Sequence, residues 1–137
     1  MSIDRFVLAQ AETYQQALDE LKEGRKSGHW IWWVFPQLRG LGRSHHSTFY
    51  GLEDESEASD YLRHPILGSR YRECLAVAHG HLCVGGVDPL VLMGGQIDVL
   101  KLRSSLELFL KVASAEDEVM RGQAAAVLAN LRLRDSA

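Results

Sequence analysis

Two short stretches of this chain hold residue types that could do chemistry together. The first is "HWIWWVFPQ", where all three tryptophans fall within Trp30–Trp33, directly after His29 and ahead of Gln37. Large aromatics dominate buried area in small domains, so Trp33 and Phe35 need no explanation beyond a core. His29, Trp30, Trp32 and Gln37 differ in carrying polar groups that are costly to bury unpaired. A rigid aromatic wall with a few hydrogen-bonding groups is also how small-molecule pockets are commonly lined. Core alone, and core plus pocket wall, are both compatible with the segment.

The second stretch is "IDVLKLRSSLELFLKVA". At about 100° per residue, Val99, Leu102, Leu106, Phe109, Leu110 and Ala113 form one apolar face of a helix. Ile97, Leu108 and Val112 form a second stripe, and Ser104, Glu107 and Lys111 fall on the solvent side. Asp98, Lys101 and Ser105 lie between the two stripes. Such a carboxylate, ammonium and hydroxyl should be partly buried, where they must pair or meet a ligand. The plainer reading is a surface ion pair worth tenths of a kcal/mol.

The remaining candidates are weaker. His64 precedes Pro65 at a helix junction, where capping is the ordinary role. Its neighbours Arg63, Arg70 and Arg72 raise the alternative of an anion site. "SHHST" reads as a polar turn, with His45 and His46 pointing apart. In "HGHLC", His79, His81 and Cys83 alternate but lack a fourth ligand, so no zinc site is expected. Cys74 and Cys83 make no disulfide framework and are expected to be reduced. No P-loop, nucleophile elbow or cofactor fingerprint occurs, and no cofactor is expected.

The elements that must position these residues read as helices. "AETYQQALDELKEG" recurs at three and four and stops at Gly24. "EDESEASDYLRH" is acidic at its start and basic at its end, and Pro65 opens a second helix through "PILGSRYRECLAVAHGH". Asp88 and Pro89 start a short helix that ends at the Gly94–Gly95 pair. Ser114 with Asp117 predicts a capping pair for a last helix to about Leu131. "WIWWVF" alone has strand-forming composition, and Pro36 limits it to a short or edge strand, an irregular turn or one helical turn. The expectation is all-α: one domain over residues 1–137, a compact irregular bundle of about six or more short helices without substantial sheet.

Composition fits that picture. A chain of 137 residues with 46% hydrophobic content can bury a core of its own. A net charge of -3 disfavours generic nucleic-acid binding, which needs a basic face. No apolar run approaches the length of a membrane span, and the first residues do not read as a secretory signal, so a cytoplasmic location is expected.

Three blocks, "GRKSGHWIWWVFPQLRGLG", "YLRHPILGSRYREC" and "DVLKLRSSLELF", resemble in order the signature of a bacterial domain-of-unknown-function family catalogued under the number 1810. The resemblance covers about Asp4 to Val112 and implies a small all-helical domain, with no activity attached. The family's pattern falls on His29, Trp30, Trp32, Gln37 and the Gly40–Gly42 turn. It continues on His64 and Arg72, and then on Asp98, Lys101, Ser104 and Ser105, which adds Ser104 to the candidates. The chain departs at Glu107, where the family usually has threonine, and beyond Ser114. The calpastatin-like label sometimes given to such proteins finds no support, because an extended protease inhibitor would be polar and disordered.

Two functional classes follow. In the first, the protein binds, with or without processing it, a small anionic or nucleotide-like ligand. Trp30 or Trp32 would stack a ring, Arg72 and Lys101 would hold negative charge, and Asp98 or His29 would serve as acid or base. In the second, a Trp-rich patch docks a protein partner without catalysis. The pocket reading requires the "HWIWW" segment to pack over Asp98, Lys101 and Ser105, with His64 and Arg72 nearby.

Overall fold

The computed structural model describes residues 2–136, which form eight α-helices, one π-helical turn and no strand. Helix α1 (Asp4–Glu23) ends at Gly24, whose φ of 82° lets its N–H reach the carbonyls of Glu20 and Leu21. The ambiguous aromatic segment is a single helical turn, α2 (Ile31–Val34), closed before Pro36. A second turn, α3 (His45–Phe49), replaces the polar turn expected at "SHHST", because the Ser44 hydroxyl accepts from the Ser47 N–H and caps it.

Helix α4 (Glu55–Arg63) is capped by Asp54, and α5 (Pro65–His79) by His64, whose Nδ1 accepts from the N–H groups of Ile66 and Leu67. Helix α5 runs on into the π-helical turn Gly80–Val84, which the 3.6-residue pattern did not reveal. Asp88 caps α6 (Pro89–Met93), and Gly94 ends it. Helix α7 (Gln96–Val112) then carries Asp98, Lys101 and Ser105, and α8 (Glu118–Ser136) closes the fold. This last helix runs beyond the expected Leu131. The Ser114 hydroxyl accepts from the Glu116 N–H in a preceding turn, and the Asp117 carboxylate pairs with Arg72. Among the described residues Ser114 and Asp117 are joined by the Asp117 N–H on the Ser114 carbonyl, and the predicted side-chain capping pair is not formed.

The core is aromatic at its centre. Tyr71 lies 4.3 Å from Phe109 between ring centroids, and Phe35, Tyr61 and Phe6 extend the cluster. Of the apolar face expected on α7, Val99, Leu102, Leu106, Phe109 and Ala113 are buried. Ile97, from the second stripe, is instead 70% exposed.

The segment between α2 and α4 has little regular structure and is held by specific bonds. Leu38 and Leu52 form an isolated parallel bridge, with the Leu52 N–H on the Gln37 carbonyl and the Arg39 N–H on the Leu52 carbonyl. Buried Arg5 fastens the segment to α1 by donating to the carbonyls of Phe49 and Gly51 and to Glu57. These ties set the loop from Leu38 to Ser44 against α7. Among the described residues, no helix is long and apolar enough to cross a membrane.

Candidate functional site

The site begins at a buried carboxylate. Oε1 of Glu20 accepts from the N–H groups of Ser27 and Gly28, each at 2.8 Å, and from the Trp30 indole at 2.9 Å. Oε2 accepts from Gln16. Burial alone would raise this carboxyl, but the four donors outweigh it and hold the pKa down to about 2. Glu20 thereby fixes the turn leading into α2 and places Trp30 in the core.

Lys26 sits on the far side of Trp30. Its Nζ lies 5.0 Å from a Trp30 ring centroid, donates to the Gly28 carbonyl and meets Asp98 Oδ2 at 2.7 Å. Asp98 Oδ1 is 3.5 Å from Lys101 Nζ, which stands 3.6 Å from the Trp32 ring centroid. The result is a line of alternating charge from Glu20 through Lys26 and Asp98 to Lys101, interleaved with indoles. The "HWIWW" segment therefore does pack on the Asp98–Lys101 strip of α7. The contact is made by the Lys101 ammonium over the Trp32 indole face.

Lys101 and Trp32 open onto a groove of about 430 Å³ between α7 and the loop before α3. Its cations are Lys101 and Arg43, and no carboxylate lines it. Arg43 makes no hydrogen bond or ion pair among the described residues. Gln37, Ser44, Ser47 and Ser104 contribute polar groups, while Leu41, Ile97 and Leu100 form an apolar rim. Ser47 stands apart from the other hydroxyls. It is 4% exposed, and its Oγ is buried without a hydrogen-bond partner among the described residues. It also lines a recess of about 10 Å³ behind Trp32, shared with Gln37 and Lys101 and just large enough for one water molecule. A Cβ at Gly42 would lie 2.3 Å from that Oγ, so only glycine lets the loop pack this closely on the hydroxyl.

Of the residues expected from sequence, Trp32, Gln37, Lys101 and Ser104 line the groove and Asp98 anchors Lys101 behind it. The others are placed differently. Trp30 is 1% exposed and belongs to the core. Ser105 is wholly buried, with its hydroxyl 3.0 Å from the Tyr71 hydroxyl, so it completes a core pair instead of reaching a ligand. His64 caps α5, and Arg72 pairs with Asp117 at 2.8 Å and donates to the Leu62 carbonyl; neither lines the groove. His29 is exposed and also lies outside its lining. Asp98 has an ammonium on each oxygen, an arrangement suited to holding lysines and poor for proton transfer.

Glu20, Lys26, Arg43 and Ser47 were not singled out in the sequence. Glu20 carried a usable signal, since it lies three residues beyond Ala17 on a helix face that is otherwise apolar. Lys26 is concealed within the charged run "KEGRK". Cys74 offers no nucleophile, because burial pushes its thiol up to about 12.

The family profile described as protein of unknown function (DUF1810) matches residues 1–129. The chain belongs to this family. The chain is also similar to a solved structure, the conserved hypothetical protein Rv1873 from Mycobacterium tuberculosis. That likeness has 42% identity and a TM-score of 0.81, covering 92% of this chain and 84% of that one. No curated protein matches the chain. The first and third of the three sequence blocks meet at the groove through Trp32, Gln37, Leu41, Gly42, Lys101 and Ser104. The second block, with His64 and Arg72, supports the helices instead.

Proposed function

We propose that this DUF1810 protein binds a small anionic, ring-bearing molecule in the groove between α7 and the Leu38–Ser44 loop. The observation that carries the reading is Lys101, 18% exposed, held against Trp32 by Asp98 at the mouth of a groove lined by a second cation, Arg43, unpaired among the described residues. A partly desolvated ammonium attracts an anion more strongly than a fully solvated one. The apolar rim suits the flat remainder of such a ligand. Binding is better supported than turnover, because Asp98 is committed to two lysines and His29 lies outside the groove lining. Two unpaired cysteines fit a reducing, cytoplasmic setting.

Titration of tryptophan fluorescence with adenosine monophosphate, phenyl phosphate and benzoate tests the reading. At least one should bind saturably, and Lys101→Met should weaken it about tenfold or more. Stability should stay within about 1–2 kcal/mol, since the methionine keeps most of the packing. Saturable binding by none of the three, or binding indifferent to Lys101→Met, would refute it.

A second reading rests on Leu41, Ile97 and Leu100, which are 61%, 70% and 49% exposed along one rim. They would make the groove a docking patch for a partner protein. Replacing Ile97 and Leu100 with serine would then abolish partner capture while leaving small-anion binding intact.

A further inference from the structure

The groove's polar end has a chemistry more specific than anion binding. The Ser47 hydroxyl is buried at the edge of the groove and has no partner among the described residues, which costs stability in the unliganded protein unless something fills its bonding capacity. Around the same groove stand Arg43, Lys101, the Gln37 amide and the Ser104 hydroxyl. These five groups come from four segments: the turn after α2, the glycine-flanked loop, α3 and α7. A planar carboxylate offers two oxygens in one plane and a single charge. A phosphomonoester offers three oxygens in a tetrahedral array and close to two charges at neutral pH. Donors spread over several segments, with two cations among them, match the second better. Arginine adds a preference for paired contacts to phosphate oxygens, and lysine supplies a point charge.

We propose that Ser47, Arg43 and Lys101 form a phosphoryl subsite, so that the groove takes phosphomonoesters of ring-bearing molecules in preference to aromatic carboxylates. Gly42 belongs to this subsite as the residue whose lack of a Cβ leaves the Ser47 hydroxyl undisplaced beside the loop. The proposal rests on the groove reading above and adds the class of ligand. Ser47 donates its hydroxyl proton in a hydrogen bond to a phosphoryl oxygen; no covalent step is involved.

Two matched pairs test it by calorimetry: phenyl phosphate against benzoate, and adenosine monophosphate against adenosine. In each pair the phosphate carrier should bind about tenfold or more tightly. Ser47→Ala should remove most of that preference and at the same time raise the melting temperature of the unliganded protein. A residue kept for stability would do the opposite. Gly42→Ala, whose Cβ would lie 2.3 Å from the hydroxyl and must push it aside, should likewise lose the preference. Benzoate binding that needs Lys101 but equals phenyl phosphate would overturn the subsite and leave the groove reading standing. Unchanged phosphate affinity in Ser47→Ala would also overturn it. Binding by no member of either pair would remove both proposals.

Discussion

Replacing Glu20 with glutamine should destabilise the protein by about 2 kcal/mol, although it changes one atom and keeps the shape of the side chain. The glutamine carbonyl can occupy the position of Oε1, still accepting from Ser27, Gly28 and the Trp30 indole. Its amide would then face Gln16, which is exposed and free to turn its own oxygen inward. Every bond thus survives in number. What disappears is charge assistance on three bonds of 2.8–2.9 Å, worth roughly 0.5–1 kcal/mol each. Water reaching exposed Ser27 trims the sum to about 2 kcal/mol. For a chain of this length that lowers the melting temperature by roughly 6–8 °C.

Acid gives a second readout of the same substitution. The folded pKa, about 2, lies below the ordinary 4.5, so the unfolded chain takes up the proton first as pH falls. Wild-type stabilisation from Glu20 is therefore complete above about pH 4.5 and lost on the way to about pH 2, and Glu20→Gln should lack that limb. Urea unfolding followed by circular dichroism at several pH values measures both quantities. A glutamine variant within about 0.5 kcal/mol of wild type, with the same acid limb, would refute the account of Glu20 as a charged anchor.

Other substitutions separate neighbouring roles. Lys26→Met leaves Asp98 with only its longer partner and should cost about 2–3 kcal/mol in urea unfolding, more than Lys101→Met. Arg5→Lys cannot reproduce a fork that reaches Phe49, Gly51 and Glu57, and should cost about 2 kcal/mol and accelerate proteolysis between α2 and α4. His64→Ala should cost about 1 kcal/mol as a lost cap without changing ligand titrations, whereas His64→Asn should recover most of it. Ser47→Ala should stabilise the unliganded protein by about 0.5–1 kcal/mol in thermal unfolding.

Much of the helical framework was legible because its signals are local. Gly24, Asp54, Pro65, Asp88 and Gly94 each act within a turn of their own position, and each stops or starts a helix as its type requires. Asp98 and Lys101 were legible as a pair needing partners, since helical spacing alone sets them beside an apolar face. Their partners were not, because Lys26 and Trp32 arrive through tertiary packing. The same limit separates Ser104 from Ser105. One residue of rotation takes the hydroxyl from the groove to Tyr71, and only the position of α5 decides which is which. For His64 the capping role weighed from sequence is the one formed, while Arg72 is drawn to Asp117, 45 residues away. Residues 45–49 had no apolar periodicity to show a helix, and one cap from Ser44 was enough to make a turn.

The two walls of the groove lie about fifty residues apart in the chain, Ser47 on one side and Ile97 on the other. Helices α4, α5 and α6 lie between those walls in the chain. During synthesis the two walls therefore exist together only after residue 104 has left the ribosome. A bound molecule touching both walls would then act as a removable crosslink across that long loop. Its signature would be slowed hydrogen exchange at the Leu52 and Arg39 amides, whose bonds fasten the irregular wall, more than at α1 or α8. Occupancy would be read in the timing of local opening, even with no displacement of any helix.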